Sequence, residues 1–144
     1  MFMRWLHVVA AVLFVATIVI QVFLAGSAIA NLGGSGDFAA HTGFGYTVVG
    51  LASLLVLLTA IAARVGRRRI AIAFGMLVLY VVQTMLPYAK TSAPWVAALH
   101  PVNALFMFGI AIWYVRGAWR DRAVARPLVP PATSATPAPD SEHA

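Results

Sequence analysis

The chain has 144 residues, of which 62% are hydrophobic and 10% are charged, and its formal net charge is +6. Average proteins are about 45–50% apolar and about 25% charged, so this composition is typical of a membrane protein and excludes most water-soluble enzymes. The chain has no cysteine, which excludes disulfides, thiolate metal sites and thiol nucleophiles. Its length is that of a single domain.

Four apolar stretches predict four transmembrane helices, because each approaches or exceeds the run of about 20 residues that a helix needs to cross a bilayer. We therefore predict an all-α membrane protein over residues 1–120, an antiparallel four-transmembrane-helix bundle. A disordered cytoplasmic tail rich in Pro and Ala is predicted over residues 121–144, where Asp121 falls. The predicted helices span about residues 5–30, 41–64, 69–88 and 95–117.

The arginines predict the orientation of the helices. All nine arginines flank the same ends of the predicted helices, whereas the opposite loops carry only Asp37 and Lys90 as charged residues. Positive residues beside short loops stay in the cytoplasm, so we predict a multi-pass plasma membrane protein with both termini cytoplasmic. The basic rim is expected to meet anionic lipid headgroups rather than nucleic acid.

The first predicted helix also resembles a signal peptide with a small-residue cleavage site at residues 28–30. Its apolar run is longer than the roughly 7–15 residues typical of such signals, so a retained helix is favoured.

A weak internal repeat relates the two halves of the chain. The only two glutamines, Gln21 and Gln83, are 62 positions apart, and His41 and His100 are 59 positions apart. Each half is predicted to be a helix with a Gln toward its outer end, a loop, and a helix that opens with a His. The bundle is therefore built from two similar helical hairpins, related by an axis along the membrane normal.

The two histidines predict a cofactor site. His41 and His100 open inward-running helices at similar depth, so they can face each other across the bundle, and haem iron accepts axial imidazoles from opposite sides. Gly45 and Ala104 lie one turn further along these helices, where small residues leave room for a flat macrocycle. We predict one bis-histidine haem b near the extracytoplasmic side, with iron as the metal.

Several other polar residues have open roles around this site. Gln21 and Gln83 either contact the cofactor or join neighbouring helices, as buried polar side chains often do in membranes, and helix joining is somewhat favoured. Lys90 and Tyr46 are candidates to meet the haem propionates, although Lys90 also fits an ordinary interfacial lysine. His7 is expected to be interfacial or hydrogen-bonded rather than a haem ligand.

Two function classes compete with haem binding. The haem protein would be an electron-transfer component or a haem-holding subunit without activity on its own, with a quinone or a redox membrane complex as partner. The first alternative is a cofactor-free structural or accessory subunit, in which His and Gln only join helices. The second is a copper site that adds Met85 or Met107, since imidazole and thioether suit copper. Small residues on the second helix would also permit a homo-oligomer.

These residues also carry a resemblance. Residues 21–26 (Gln-Val-Phe-Leu-Ala-Gly), His41, Gln83 and residues 98–105 (Ala-Leu-His-Pro-Val-Asn-Ala-Leu) resemble an uncharacterised family of small four-helix membrane proteins of high-G+C bacteria. More distantly, the arrangement resembles one four-helix half of the heme A synthase family, which implies His41 and His100 as axial ligands. The catalytic half of that family has a glutamate three residues before its helix-two histidine, where this chain has Phe38. The resemblance therefore implies the half that holds haem b.

Overall fold

The computed structural model describes residues 2–34 and 36–124, and these residues form helices joined by turns. Four of the helices are long and apolar enough to cross a membrane, which confirms the predicted all-α transmembrane architecture. We number them α1 (Phe2–Ile29), α2 (Ala39–Ala62), α3 (Arg67–Met85) and α4 (Leu99–Val124). A 3-10 turn at Leu86–Lys90 extends α3, and a short helical turn at Pro94–Ala97 precedes α4.

The helices pack in a ring in which each touches two others. Helices α1 and α3 both pack against α2 and α4. Helices that follow one another along the chain are therefore antiparallel, and the pairs α1–α3 and α2–α4 lie diagonally across the bundle axis. The core is a stripe of buried side chains at helical spacing on each helix, which is how an amphipathic helix buries one face. Its members include Phe14 and Ile18 of α1, Ala52 and Val56 of α2, Ala73 and Met76 of α3, and Met107 and Ala111 of α4.

Large apolar side chains cover the outside of the bundle. Phe23 is 66% exposed, Leu51 58% and Leu105 71%. Burial of apolar surface is worth roughly 25 cal/mol per Å², so an outer face of this kind requires lipid rather than water. The exposed faces and the helix lengths lead to the same conclusion, an integral membrane protein.

The structure corrects where the last helix ends. The predicted helix stops near residue 117 and the predicted tail begins at residue 121, but α4 continues to Val124. Asp121 is therefore helical, and its carboxylate forms an ion pair with Arg69 of α3, which provides a tertiary contact for the last turns. The rest of the predicted tail, residues 125–144, lies outside the described residues.

The antiparallel packing brings the arginines of the described residues to one end of the bundle, and His41 and His100 to the other. We call these the arginine end and the histidine-pair end. Arg4 lies in the first turn of α1 and Arg67 begins α3 at the arginine end, where α2 and α4 finish. The turn before α3 has Gly66 at φ +96°, a backbone conformation that only glycine adopts at low cost.

Helix α2 contains one turn of π-helix at Gly45–Val49, just after His41. A π-turn displaces the backbone carbonyls from their usual partners, and such turns are frequent at functional sites. The phenol of Tyr80 on α3 donates a hydrogen bond to the Tyr46 carbonyl at 3.1 Å. Tyr80 also lies against Gly50, where a Cβ would be 2.5 Å from its hydroxyl oxygen, so glycine there permits the contact.

Candidate functional site

Two polar layers interrupt the apolar core, and each receives one side chain from each of the four helices. On α1, Gln21 follows His7 by 14 positions, and on α4 Tyr114 follows His100 by 14. Fourteen residues of helix span about 21 Å, so the layers lie near opposite ends of the bundle. The histidine-pair layer consists of Gln21, His41, Gln83 and His100, and the His7 layer consists of His7, Thr59, Arg69 and Tyr114.

In the first half of the chain, Gln21 and His41 bind each other through backbone and side chain. His41 Nδ1 lies 3.1 Å from the Gln21 carbonyl oxygen, and Gln21 Nε2 lies 3.3 Å from His41 Nε2. Gln21 Nε2 also donates to the His41 carbonyl at 2.9 Å. Because a carbonyl oxygen only accepts, this last bond fixes which end of the Gln21 amide faces His41.

The second half repeats this arrangement with Gln83 and His100. His100 Nδ1 lies 3.0 Å from the Gln83 carbonyl oxygen, and Gln83 Nε2 lies 3.2 Å from His100 Nε2. Here the amide is fixed by Asn103, whose Nδ2 donates to Gln83 Oε1 at 2.7 Å and to the Leu79 carbonyl at 3.0 Å. The Gln–His correspondence between the halves is therefore present in three dimensions.

These contacts determine the tautomer of both imidazoles. A backbone carbonyl can accept but not donate, so Nδ1 of His41 and of His100 carries the proton. In a neutral ring the other nitrogen then bears a lone pair, and both Nε2 atoms accept from a glutamine amide. A metal-binding histidine typically donates one ring N–H to a carbonyl in the same way and coordinates through the other nitrogen, which here accepts from a glutamine amide.

The two imidazoles also meet across the bundle. The ring centroids of His41 and His100 are 6.1 Å apart with an interplanar angle of 66°, although their helices lie on a diagonal of the ring. Phe38 packs edge-on against His41, with centroids 5.8 Å apart. Metal–imidazole bonds are about 2.0–2.1 Å long, so the centroids of two imidazole rings on one metal ion lie several ångströms apart. The distance between the His41 and His100 centroids is compatible with such a pair.

The two halves differ at the third residue after each histidine. Asn103 holds Gln83 Oε1, whereas the corresponding residue after His41 is Phe44, which has no polar side-chain atom. Gln21 Oε1 is buried, and no partner donates a hydrogen bond to it within the described part of the chain. An unsatisfied buried acceptor costs about 1–3 kcal/mol, so this atom marks a place where a donor would be accommodated.

The other predicted site residues lie near the histidine-pair layer, and each of them has different neighbours. A Cβ on Gly45 would lie 2.6 Å from Gln21 Nε2, so the space beside Gly45 is filled by the Gln21 amide. Ala104 is partly buried one turn after His100. The Tyr46 hydroxyl pairs with the Tyr88 hydroxyl at 2.9 Å in an exposed position, and Lys90 is exposed at the end of the 3-10 turn.

His7 is the centre of the second polar layer. Its side chain is 1% exposed, so it is hydrogen-bonded in the core and not interfacial. Thr59 Oγ1 donates to the Leu55 carbonyl at 2.6 Å and therefore accepts from His7 Nδ1, 3.0 Å away. The Tyr114 hydroxyl then donates to His7 Nε2 at 3.1 Å. Three helices are joined through one neutral imidazole.

Arg69 connects α3 to this second layer. Its guanidinium lies 5.8 Å from the centroid of the Tyr114 ring and pairs with Asp121. A Cβ on Gly117 would lie less than 3 Å from both terminal guanidinium nitrogens of Arg69, so glycine makes room for this cation. A cavity of about 180 Å³ lies beside this network, lined by Arg4, His7, Val65, Ala118 and Asp121.

The available ligands limit which metal centre the chain can form. Within residues 2–34 and 36–124, no group of three or more His, Cys, Asp or Glu side chains comes together. The histidine pair is therefore a two-imidazole donor set, which fits the axial positions of haem iron, where the macrocycle supplies the other ligands. Of the methionines considered for copper, Met85 is 55% exposed and Met107 accepts from Asn103 Nδ2 at 3.7 Å.

A comparison with protein families gives a match that covers three of the four residues of the histidine-pair layer. Residues 21–91 match DUF6220, a family of unknown function. The match includes Gln21, His41 and Gln83 and ends before His100. No curated protein and no solved structure matches the chain, so the likeness to heme A synthase and to high-G+C bacterial proteins stays a prediction.

The sequence interpretation did not identify Asn103, Thr59 or Tyr114 as site residues. Asn103 had a detectable signal, because it is an amide within an apolar span and lies three positions after His100. Polar side chains in apolar membrane spans usually form hydrogen bonds with a neighbouring helix. Thr59 and Tyr114 had no such signal, since both residue types are common in membrane helices and their partners depend on how the helices are rotated.

Proposed function

We propose that this chain is an integral membrane protein that binds one haem b, with His41 and His100 as the axial ligands. The observation that carries the proposal is the matched Nδ1–H bond of each imidazole to a glutamine carbonyl, which presents both Nε2 lone pairs. Neutral imidazole with this second contact is the form that coordinates iron. The 6.1 Å separation of the rings supports a shared iron.

Within this proposal the glutamines hold and orient the histidines. Their backbone carbonyls fix the imidazole rings, and their side-chain amides donate to the Nε2 atoms. A haem held by His41 and His100 would take the place of these two donated hydrogen bonds. Lys90 and Tyr46 lie toward the histidine-pair end and are candidates to meet the propionates. The haem supplies one-electron chemistry when bound.

The proposed role is electron transfer or haem storage within a larger assembly. The arginine end is proposed to face the cytoplasm of the plasma membrane, so the haem lies near the extracytoplasmic side. One haem at one side of the bilayer does not carry electrons across it. A quinone or a redox membrane complex is therefore the proposed partner, and the chain is not proposed to turn over a substrate alone.

A cofactor-free accessory subunit is the second candidate. The observation that favours it is that both Nε2 atoms already accept a hydrogen bond from a glutamine amide. In that role the histidine-pair layer joins α1 to α2 and α3 to α4, and its polar groups act only as contacts between helices.

An optical spectrum with metal analysis separates these candidates. The full chain is purified in detergent after expression with added haem precursor, and the haem protein should have a Soret band with a low-spin bis-histidine spectrum. Separate His41→Ala and His100→Ala variants should each lose the low-spin spectrum, and the double variant should lose haem. His143→Ala and His7→Ala are the matched controls, and both should retain haem per folded protein.

The opposite results are equally specific. A folded, colourless protein after haem supplementation overturns haem binding and supports the accessory subunit. Stoichiometric copper in the colourless protein would instead support a copper site. Loss of haem in His7→Ala, with His41→Ala unaffected, would mean that the ligands are wrongly assigned.

A further inference from the structure

The arginine end of the bundle contains a cavity that the proposed haem does not use. Its volume is about 180 Å³, it is partly open, and it is lined by Arg4, His7, Val65, Ala118 and Asp121. These residues come from α1, from the turn between α2 and α3, and from α4. Three separate parts of the chain therefore meet around one space at this end.

Two tryptophans indicate that this cavity lies at the depth of the lipid headgroups. Trp5 follows Arg4 in α1, and Trp119 follows Ala118 in α4. Their rings pack edge to face with centroids 6.1 Å apart, and each side chain is about half exposed. Tryptophan is enriched at the membrane–water interface, where its ring is among apolar groups and its N–H is close to water. The cavity therefore opens among phosphate groups and not among hydrocarbon chains.

The size of the cavity suits one polar group of a larger molecule. Sites that enclose a complete small molecule have about 300–1,000 Å³, whereas this cavity has about 180 Å³. Both ring nitrogens of His7 already have hydrogen-bond partners, Thr59 and Tyr114, and Val65 and Ala118 are apolar. Recognition of a polar group therefore depends on the two charged side chains of the lining.

These two side chains have opposite charges, and no ion pair joins Arg4 to Asp121 within the described residues. Asp121 binds Arg69 through Oδ2, but a carboxylate has about four acceptor sites and can also bind a second cation. A phosphate beside Arg4 and an ammonium beside Asp121 would both form charge-assisted hydrogen bonds. A group with only negative charge would be repelled by the Asp121 carboxylate. The lining is therefore complementary to a zwitterion.

We infer that this cavity binds a phosphoethanolamine group, with its phosphate on Arg4 and its primary ammonium on Asp121. The source of the group is phosphatidylethanolamine, whose acyl chains would lie along the exposed apolar faces of the helices. A choline headgroup matches the cavity less well, because quaternary ammonium groups are recognised by aromatic faces. Phe, Tyr and Trp are absent from the lining residues that the structure describes, whereas a primary ammonium has three N–H donors for a carboxylate.

Lipid binding to the full chain in detergent tests this inference, and native mass spectrometry measures it. The two lipids compared are phosphatidylethanolamine and phosphatidylcholine with identical acyl chains. The first molecule of phosphatidylethanolamine should bind about fivefold more tightly, the factor that corresponds to the roughly 1 kcal/mol of one exposed ion pair. The protein is prepared without added haem precursor, so the result does not depend on haem binding.

Two variants separate the two charges of the headgroup. Arg4→Gln should weaken the binding of both lipids by about fivefold, since both contain the phosphate. Asp121→Asn should abolish the preference for phosphatidylethanolamine and leave the affinity for phosphatidylcholine unchanged. Arg68→Gln and Asp37→Asn are the matched controls, because they remove the same charges at exposed positions outside the cavity. Both controls should retain the affinities of the unmodified chain.

Three results would overturn the inference. Equal affinity of the unmodified chain for the two lipids would exclude recognition of the ammonium group. Tighter binding of phosphatidylglycerol, weakened as much by Arg68→Gln as by Arg4→Gln, would mean that the basic rim attracts anionic lipid without a site in the cavity. Displacement of bound phosphatidylethanolamine by an equal concentration of soluble phosphoethanolamine would identify a soluble phosphate ester, and not a lipid, as the occupant.

Discussion

The Gln21 amide lies directly against the backbone at Gly45, where a Cβ would be 2.6 Å from Nε2. This contact is what brings the amide within reach of both the His41 carbonyl and His41 Nε2. The first turn of α2 therefore depends on glycine at position 45. Glycine is needed there because the Gln21 amide fills the space that a side chain would take, and not because of its backbone conformation.

Gly45→Ala should displace the Gln21 amide and break its two hydrogen bonds to His41. Each such bond contributes about 0.5–1.5 kcal/mol, so the free energy of unfolding should fall by about 1–3 kcal/mol. Gly43→Ala on the same helix is the control, because a Cβ there meets nothing within 4 Å. Unfolding in mixed detergent micelles measures both variants, and equal stability of the two would contradict the contact.

The fold and the corresponding places of Gln and His in the two halves could be predicted from the sequence because their signals are compositional. Four apolar runs and a small set of polar residues leave few arrangements, and Gln21 and Gln83 are the only glutamines. The partner of each glutamine is set by helix rotation, which period and length do not determine. Asn103 and Phe44 occupy the same position of the repeat, so their different roles emerge only when the amide ends are traced.

The extent of α4 was wrong in the sequence interpretation for a related reason. Residues after Trp119 are polar enough to look like tail, yet Asp121 pairs with Arg69 from another helix. A local composition signal does not include a partner 52 positions away. The His7 layer was missed in the same way, since its four side chains come from four helices.

Tyr114→Phe should destabilise the bundle by leaving His7 Nε2 without a donor. An unsatisfied buried acceptor costs about 1–3 kcal/mol, and Tyr114 is fully buried. Tyr46→Phe removes the same hydroxyl from an exposed pair with Tyr88 and should cost much less. Equal free energies of unfolding for these two variants would exclude a structural role for the Tyr114–His7 bond.

A double-mutant cycle isolates the bond itself. The single variants His7→Phe and Tyr114→Phe are combined, and the coupling energy should be positive. Hydrogen bonds between membrane helices average about 0.6 kcal/mol in such cycles and reach at most about 1.7 kcal/mol. Strict additivity would mean that the two side chains act independently despite their 3.1 Å separation.

Gly117→Ala should destabilise the arginine end more than loss of the ion pair does. The added Cβ would displace the Arg69 guanidinium, which also contacts Tyr114. Asp121 is 52% exposed, so Asp121→Asn should cost only about 0.2–1 kcal/mol and the loss should shrink in salt. Gly109→Ala on the same helix is the control, because its Cβ meets nothing within 4 Å. A Gly117→Ala variant as stable as Gly109→Ala would refute the close fit.

Single cysteines should report the orientation of the bundle without background, because the chain has no cysteine of its own. Asp37→Cys and Lys90→Cys mark the two loops at the histidine-pair end, and Arg68→Cys marks the arginine end; all three positions are exposed. In intact cells a membrane-impermeant maleimide should label the first two, and Arg68→Cys only after permeabilisation, because arginine-rich loops stay in the cytoplasm. The reverse pattern would put the histidine pair on the cytoplasmic side, and uniform labelling would contradict a spanning bundle.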